Sequence, residues 1–410
     1  MNGLKVALLA GGLLIVAIVN DWTALDPLIV ALVALLVICW VWSRFSLVRL
    51  GLVRALSLDR VRAGETITEQ ITVQNRALLP KLWVEVRDYS SLPDHHASRV
   101  VSLGPRGEER WTITTPCEHR GRYQLGPVGV RSGDPLGLFR SQKFLPVRQD
   151  LVVYPVPLDV SAIPLPAAHM SGGQTISRTS VVPSSTIAGL RDYVPGDALN
   201  RISWSATARR GVMTVKEFDP DPTSDLWIML DLDERGMRDV AFTDATPALD
   251  STEEVLVALA GSLAERALND GRKVGLIVNR AMPVRLNADQ GHRQWFRMME
   301  MLAMAQPFGS RPLGEAIASE ARRFSRTSGL IVLTASPDRG WVDAARSLVL
   351  RRVPVSAVIV MDDAGDAAAD LDALAETLAA ERVLVSRYQA GSGINANHQP
   401  LWKPDSTVAA

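Results

Sequence analysis

The sequence predicts a doubly wound α/β domain, preceded by a small antiparallel β-sandwich and an N-terminal two-helix transmembrane hairpin. Three observations predict this architecture. Two uncharged apolar runs stand at the N-terminus, segments with an apolar residue at every second position follow, and apolar runs alternate with amphipathic stretches in the second half. Alternation of buried strands with helices is typical of a parallel sheet covered by helices on both faces.

The composition excludes several classes of protein. A chain of 410 residues with 47% hydrophobic and 21% charged residues is not disordered as a whole. Lysine plus arginine equals aspartate plus glutamate at 44 each, so no net charge attracts nucleic acid, and we expect no nucleic-acid partner. The two cysteines, Cys39 and Cys117, lie far apart and outside any CxxC motif, which indicates a reducing compartment without disulfides or a zinc knuckle.

Residues 1–54 are predicted to form the transmembrane hairpin and a basic juxtamembrane segment. The apolar runs 6–19 and 27–42 carry no charge and are joined by a short acidic link. Each has roughly 14 to 18 residues, somewhat fewer than the ~20 that span a bilayer, so a re-entrant hairpin is an alternative. Lys5 precedes the first run and arginines follow the second, which predicts a two-pass protein of the inner (plasma) membrane with cytoplasmic soluble domains.

Residues 55–157 are predicted to form the β-sandwich. Segments such as ETITEQITVQN and KLWVEVRDY alternate apolar and polar residues and are separated by glycine-rich turns. His95 and His96 have no second cluster of metal-ligating side chains near them in sequence, so we expect an exposed loop rather than a metal site. Residues 158–188, rich in proline, serine, glycine and alanine, are predicted to be a linker.

Residues 189–219 combine a turn, a short helix and charges of mixed sign. In the turn VPGD, Pro195 fixes φ, Gly196 tolerates a positive φ and Asp197 can act as the N-cap of the following helix. We expect the helix to run over residues 198–210 and to end at Gly211. A strand-like alternation follows in MTVKEFD.

Three interpretations of this segment stay open. The charges form a network that pins the helix to the next sheet, or they belong to a surface for an acidic or phosphate-bearing partner, since arginine favours carboxylates and phosphates and tryptophan favours interfaces. Catalysis is the third, although the segment has no histidine or cysteine to activate its hydroxyls. The candidate partner-binding residues are Arg191, Tyr193, Pro195, Gly196, Asp197, Arg201, Trp204, Arg209, Lys216 and Glu217.

The stretch RDYVPGDALNRISWSATARRGVMTVKEFD resembles the signature of DUF58 proteins, and GRYQLGPVGVRSGDPLGLF resembles the segment that precedes it in that family. The resemblance implies a membrane-anchored bacterial or archaeal protein. Genes of this family often stand beside those of MoxR-type AAA+ ATPases and transglutaminase-like membrane proteins, which are therefore the expected partners. The resemblance implies no particular reaction.

Residues 220–390 are predicted to form the α/β domain, and residues 391–410 a flexible tail. Apolar runs such as LWIMLDLD and GLIVLTAS alternate with helical stretches such as EEVLVALAGSLAERALND, and PVRLN would add an edge strand. In such a sheet the functional crevice lies at the carboxyl ends of the strands. The sequence therefore directs attention to residues 231–235 and 334–336.

This layout resembles a von Willebrand factor A-like domain, which DUF58 proteins are expected to share. The resemblance implies a Mg²⁺ site built from an aspartate-x-serine-x-serine motif, a threonine and a later aspartate. Here Asp231 is kept, but Asp233 and Arg235 replace the serines and Ala335 replaces the later aspartate. We therefore expect no cofactor, with a weak Mg²⁺ site at Asp231 and Asp233 as the alternative.

No P-loop, GxSxG or HExxH motif occurs, so we expect no enzyme. Together with the resemblance, this predicts a non-enzymatic membrane-anchored scaffold or adaptor that works with a MoxR-type AAA+ ATPase in the assembly or maturation of a membrane or envelope complex. A divalent-ion-dependent enzyme or metal sensor that uses Asp231, Asp233 and Glu234 is one alternative. An envelope structural protein without an ATPase partner is another.

Overall fold

A computed structural model describes residues 8, 11, 12, 26–166, 183–193, 202–220, 225–237, 249–361, 366–389 and 393–394. The chain divides into two compact units, Met1–Tyr154 and Pro155–Ala410. Helices and several sheets occur together, and a long apolar helix lies near the N-terminus. The predicted mixed α/β class is therefore confirmed.

Helix α1, Asp26–Phe45, is the apolar helix of the first unit. The stretch Pro27–Phe45, with 19 residues and a mean hydropathy of 2.4, is long and apolar enough to cross a membrane. At a rise of about 1.5 Å per residue it extends roughly 28 Å, close to the ~30 Å of a hydrocarbon core. The first apolar run, residues 6–19, lies almost wholly outside the described residues, and the predicted hairpin with it.

Ten strands form three sheets in residues 50–154, all of which the structure describes. Two sheets are antiparallel, with the orders β1-β3-β6 and β5-β4-β8-β9; in the third, β2-β10-β7, strands β2 and β10 are parallel. The strands are β1 (Leu50–Leu56), β2 (Arg60–Arg62), β3 (Thr66–Asn75), β4 (Lys81–Asp88), β5 (Arg99–Leu103), β6 (Glu108–Pro116), β7 (Gly121–Leu125), β8 (Val128–Gly133), β9 (Arg140–Leu145) and β10 (Gln149–Tyr154).

The two antiparallel sheets contribute to one apolar core. Ile71 and Val73 on β3 and Val84 and Val86 on β4 are fully buried in it, at the alternate positions that a strand directs to one face. Burying a side chain of this size contributes about 1.5–3 kcal/mol. The alternation seen in the sequence is therefore the inward and outward pattern of half-buried strands.

The C-terminal end of α1 is fixed to the first unit by polar side chains. Lys81 Nζ donates to the Phe45 carbonyl at 2.7 Å, and Ser141 Oγ on β9 donates to the Ser43 carbonyl at 2.8 Å. Lys81 is buried, which lowers its pKa. The last carbonyls of a helix lack the usual N–H partner four residues on, and these side chains bond to two of them in addition to the N–H groups of the following turn.

A charged network lies inside the first unit, where the sequence predicted an exposed loop. The His95 ring is fully buried, with Nε2 at 3.0 Å from Glu69 Oε2 and 3.2 Å from Asp88 Oδ2. Its Nδ1 lies 2.9 Å from Thr115 Oγ1, and Arg54 pairs with both carboxylates. His96 is exposed in a loop, as predicted, but the prediction for His95 is wrong because its carboxylate partners lie on β3 and β4, and no local pattern reveals such long-range contacts.

The network keeps His95 positively charged. Burial alone would lower the pKa of the imidazole, but hydrogen bonds and charges from Asp88 and Glu69 raise it to about 9. Burial likewise opposes ionisation of Asp88, yet His95 and Arg54 hold the pKa of that carboxyl below its usual range. Two cations thus face two carboxylates, and the buried group of charges is balanced.

We expect the first unit to lose stability as the pH rises from about 6.5 to about 9. The folded-state pKa of His95 lies above its ordinary value, so its contribution is complete below pH 6.5 and is lost through the folded pKa near 9. A shift of this size corresponds to about 3 kcal/mol. Urea unfolding of the detergent-solubilised chain at a series of pH values measures it, and a His95→Gln variant with the same pH slope would contradict the assignment.

The second unit contains a seven-stranded sheet with the order β15-β14-β13-β16-β17-β18-β19 and a two-stranded sheet of β11 and β12. The strands are β11 (Pro183–Asp192), β12 (Thr214–Pro220), β13 (Asp225–Asp231), β14 (Val274–Asn279), β15 (Val284–Asp289), β16 (Ser328–Thr334), β17 (Val355–Met361), β18 (Leu384–Gln389) and β19 (Gly393–Ile394). The helices are α2 (Trp204–Arg210), a 3-10 turn (Glu234–Gly236), α3 (Thr252–Asn269), α4 (His292–Ala303), α5 (Leu313–Glu320), α6 (Val342–Leu350) and α7 (Asp366–Ala380).

The larger sheet is parallel in its centre. Strands β13, β14, β16, β17 and β18 are parallel neighbours. Strand β15, which contains most of PVRLN, is the predicted edge strand, and it pairs antiparallel with β14. Every residue of β14 and β16 is buried. Burial of both faces explains why these strands appear in the sequence as continuous apolar runs.

Part of the predicted linker is ordered structure of the second unit. Strand β11 begins inside it, at Pro183, and pairs antiparallel with β12. Upstream, Arg266 on α3 donates to the carbonyls of Val160 and Ile163 at 2.6 and 2.8 Å. The linker prediction therefore does not hold for these two parts, while residues 167–182 lie outside the described residues.

Candidate functional site

The two predicted crevice segments meet at the carboxyl edge of the parallel sheet. Strand β13 ends at Asp231 and β16 ends at Thr334, and these strands are neighbours although β14 and β15 lie between them along the chain. Connections leave β13 and β16 in opposite directions along the sheet, which is the point where open α/β sheets bind ligands. Residues 231–235 and 334–336 are thereby brought together.

Asp231 is buried and has a partner at each carboxylate oxygen. Asn279 Nδ2 donates to Oδ1 at 2.9 Å, and Thr334 Oγ1 donates to Oδ2 at 2.8 Å. Burial raises the pKa of this carboxyl to about 6, although both hydrogen bonds act in the opposite direction. Asp231 therefore changes its charge near pH 6.

Asp233 is engaged by different partners. Arg235 approaches it with Nη2 at 2.6 Å from Oδ2 and with its backbone N–H at 3.0 Å from Oδ1, and Ser310 Oγ donates to Oδ2 at 3.1 Å. Burial would raise the pKa of Asp233, but these contacts hold it below the usual range. The Arg235 side chain remains 61% exposed, so the pair presents a positive group to solvent.

A second loop is held against these aspartates. Glu234 Oε1 accepts a hydrogen bond from the Gly309 N–H at 2.7 Å, and Asn279 Nδ2 donates to the Arg311 carbonyl at 3.0 Å. Gly309 has a φ of 63°, and a Cβ there would lie 2.8 Å from Ala281 Cβ, so this position requires glycine. Asn279 is not among the residues predicted from the sequence. The pattern that could have identified it is a polar residue at the end of an apolar run.

The side chains at this edge do not fit the Mg²⁺ site implied by the A-domain resemblance. Such a site needs several hard oxygen ligands in near-octahedral geometry. Ala335 has no side-chain oxygen, and the oxygens of Asp233 are engaged by Arg235 and Ser310. Within the part of the chain that the structure describes, no three His, Cys, Asp or Glu side chains are grouped so that they could hold a metal ion.

The signature helix is shorter than predicted. Helix α2 spans Trp204–Arg210 and is capped by Gly211, as the sequence predicted; Gly211 has a φ of 71°, and its N–H donates to the Thr207 carbonyl. The predicted helix, which starts at residue 198, includes residues 202 and 203, but neither of them is helical in the structure. Ile202 forms a β-bridge with Val215, and the Ser203 N–H donates to the Thr214 carbonyl at 2.8 Å, so both residues are tied to β12.

The structure describes only some of the signature residues. Arg191 lies on β11, and Lys216 and Glu217 lie on β12, where Arg191 pairs with Val215. Tyr193 follows β11, and its N–H donates to the Met213 carbonyl at 2.8 Å. The residues of the predicted turn, Pro195, Gly196 and Asp197, lie outside the described residues, and so does Arg201.

Helix α2 and the turn after it form an exposed surface over a buried base. No residue of the helix is buried, and the Trp204 side chain is 68% exposed. Beneath it Ile202, Thr214 and Val215 are buried. We call the exposed residues the signature surface: Trp204, Arg209, Arg210, Val212 and Met213. It combines an aromatic ring, two guanidinium groups and apolar side chains.

Residues 189–375 match the family DUF58, described as a protein of unknown function, which confirms the resemblance. The uncharacterized protein YeaD of Bacillus subtilis (strain 168) is 24% identical over 292 residues, which cover 68% of this chain and 69% of YeaD. The uncharacterized protein Rv1480 of Mycobacterium tuberculosis (strain ATCC 25618 / H37Rv) is 26% identical over 185 residues, 44% of this chain and 56% of Rv1480.

Among solved structures, a CARDB domain from Pyrococcus furiosus is 18% identical. The match covers 25% of this chain and 93% of that domain, with a TM-score of 0.20. A complex of Zinc 2-glycoprotein and Prolactin inducible protein from human seminal plasma also matches 25% of this chain, covers 92% of the matched chain and is 15% identical, with the same TM-score of 0.20. Scores of this size carry no argument about the fold.

Proposed function

We propose that this DUF58 protein is a membrane-anchored, non-enzymatic adaptor that binds a partner protein through the signature surface. The observation that carries the proposal is the 68% exposure of Trp204 inside the region that matches the family. Tryptophan is enriched at the centres of protein interfaces, because its large ring contributes much apolar contact area. A network that only pins the helix to the sheet does not explain why this ring faces solvent.

The chemistry of the signature surface indicates the kind of partner. Arg209 and Arg210 lie in the last turn of α2, beside the exposed Val212. Guanidinium groups favour carboxylates, so an acidic surface with an apolar pocket for Trp204 would complement this arrangement. We propose a MoxR-type AAA+ ATPase as this partner and a transglutaminase-like membrane protein as a further member of the assembly, which would serve to build or mature a membrane or envelope complex.

The anchoring and the finer fold assignments are parts of the same proposal. Helix α1 and the exposed Arg44 in its last turn support an inner-membrane protein whose soluble units face the cytoplasm, with residues 6–19 as the first of two passes. The order of β15-β14-β13-β16-β17-β18, with β15 antiparallel, supports a von Willebrand factor A-like fold for the second unit. The core shared by two antiparallel sheets supports a β-sandwich in the first unit.

A divalent-ion-dependent enzyme or metal sensor is the second candidate. The observation that favours it is the pKa of about 6 at Asp231, which lies buried at the switch point of the sheet. Perturbed carboxyls in such positions are frequent in functional sites. The engagement of Asp233 by Arg235 weighs against it.

We expect Trp204→Ala to reduce capture of a MoxR-type ATPase by the tagged full-length chain, solubilised from its native membrane in detergent with ATP. A hot-spot tryptophan contributes about 2 kcal/mol or more, so the captured amount should fall at least about 10-fold. Met282→Ala is the matched control, because Met282 is 70% exposed elsewhere in the second unit. Equal capture by both variants, or no ATPase with the unaltered chain, would refute the proposal.

A further inference from the structure

We infer that residues 134–139, the loop between β8 and β9, form a second membrane contact of the first unit, with Leu136 inserted into the interfacial region of an anionic lipid bilayer. The inference rests on the anchoring through α1 in the proposed function. It does not depend on the identity of any protein partner.

The loop lies beside the membrane helix rather than beyond its end. The Cys39 thiol on α1 interacts with the carboxylate of Asp134, the first residue of the loop, and Cys39 is only 2% exposed. Strands β8 and β9 both contact the helix, and Ser141 on β9 hydrogen-bonds to Ser43. Cys39 precedes Phe45 by six residues, which corresponds to about 9 Å along the helix axis.

The length of the helix fixes the level of the loop. Pro27–Phe45 has 19 residues, which extend roughly 28 Å and only just match a hydrocarbon core of ~30 Å. If the helix moved outward by about 9 Å to keep the loop in water, the remaining apolar length would be too short to span. The loop beside Cys39 must therefore reach at least the level of the bilayer interface.

Exposed aromatic side chains on the last part of the helix support this placement. Trp40 and Phe45 are both 54% exposed and lie within two residues, along the helix, of the buried Cys39 and Ser43. Aromatic side chains of this kind are enriched at membrane–water interfaces. Lipid is the environment that would cover them, and it would reach the neighbouring loop as well.

The loop is built so that its polar groups are satisfied internally. The Asp134 carboxylate is fully buried and accepts hydrogen bonds from the backbone N–H groups of Leu136, Leu138 and Phe139, at 3.0, 3.2 and 2.6 Å. Backbone groups that enter a low-dielectric environment need such partners. Leu136 at the tip nevertheless exposes 57% of its surface. An apolar tip on an internally hydrogen-bonded loop is suited to lipid.

Basic residues flank the loop and the helix end. Arg44 lies in the last turn of α1, and Arg140 and Lys143 lie on β9 after the loop; all three are exposed. Long basic side chains near an apolar anchor extend to lipid phosphates and favour anionic membranes. Continuity with the membrane helix and this charge together indicate a lipid surface as the occupant, rather than a protein.

The test places a polarity-sensitive fluorophore on the loop of the full-length chain. Leu136→Cys is labelled and reconstituted into vesicles of phosphatidylcholine with phosphatidylglycerol, some of which carry a nitroxide quencher near the headgroups. Leu58→Cys is the matched control, because Leu58 is 56% exposed and follows the far end of β1, a strand of seven residues or about 23 Å. The unaltered chain, labelled in parallel, reports any reaction of the buried Cys39 and Cys117.

We expect the label at residue 136 to show blue-shifted emission and at least about twofold stronger quenching by the nitroxide lipid than the label at residue 58. Adding Arg140→Glu and Lys143→Glu should reduce this difference in anionic vesicles. A label at residue 136 that is not quenched, in a chain that floats with the vesicles, overturns the loop contact and leaves the anchoring intact. A chain that does not float with vesicles overturns both.

Discussion

Replacing Arg54 by methionine is expected to destabilise the first unit by about 3–5 kcal/mol, the cost of removing one partner from a buried group of charges. Arg54 pairs with Glu69 and Asp88, and all three side chains are at most 2% exposed. Without the guanidinium, His95 alone would face two buried carboxylates. Methionine retains most of the apolar stem of Arg54, so the loss of stability would result from the missing charge rather than from a cavity.

The matched control is Arg122→Met in the same unit. Arg122 pairs with Asp150 at 2.9 Å, but their side chains are 60% and 52% exposed. Exposed pairs contribute about 0–1 kcal/mol, so this variant should unfold at nearly the urea concentration of the unaltered chain. Equal destabilisation by the two substitutions, measured by urea unfolding of the detergent-solubilised chain, would contradict the buried network.

Replacing Asp231 by alanine is expected to destabilise the second unit by about 2–4 kcal/mol at pH 5, where the carboxyl is mostly protonated, because a buried donor left without its acceptor costs about 1–3 kcal/mol. The donors concerned are Asn279 Nδ2, which keeps a bond to the Arg311 carbonyl, and Thr334 Oγ1. Asp231→Asn keeps the shape of the side chain and removes its charge. Urea unfolding of both variants at pH 5 and pH 8 measures the two contributions separately.

The contribution of Asp231 to stability changes with pH in the opposite direction to that of a paired carboxylate. Its folded-state pKa of about 6 lies above its ordinary value of 3.8, so the fold binds the proton more tightly. The second unit should therefore lose about 3 kcal/mol of stability from this group as the pH rises from about 4 to about 6. Asp231→Asn should remove this slope, and a slope unchanged in the variant would contradict the assignment.

The same variants test the metal candidate. If Asp231 and Asp233 bind Mg²⁺, millimolar Mg²⁺ should raise the unfolding midpoint of the unaltered chain, and Asp231→Ala should abolish that increase. The proposed adaptor predicts no Mg²⁺ effect on either chain. A clear Mg²⁺ stabilisation that depends on Asp231 would favour the ion-dependent candidate.

The helices and strands of the second unit can be predicted well from the sequence, because strands buried on both faces appear there as continuous apolar runs. The apolar run 329–336 corresponds to β16, Ser328–Thr334, and the stretch 253–270 corresponds to α3, Thr252–Asn269. Glycine, proline and charged residues at their ends mark where burial stops. The position of the crevice follows from the same pattern, since it needs only the strand ends and their direction.

Contacts between residues far apart in the chain produce no such local pattern in the sequence. His95 meets Glu69 and Asp88 only because three separate segments are folded together, so a pair of histidines in a polar stretch gave no indication of burial. The start of α2 is displaced for a related reason. Ile202 and Ser203 have local sequence suited to a helix, but pairing with β12 holds them out of it.

The most direct test of the adaptor is the affinity of the purified full-length chain for the MoxR-type ATPase, measured with the chain in lipid nanodiscs. We predict that Trp204→Ala raises the Kd by about 30-fold, which corresponds to a hot spot of ~2 kcal/mol, while Met282→Ala leaves the Kd unchanged. A Kd that is the same for the unaltered chain and for Trp204→Ala would contradict the assignment of the signature surface as the partner-binding site.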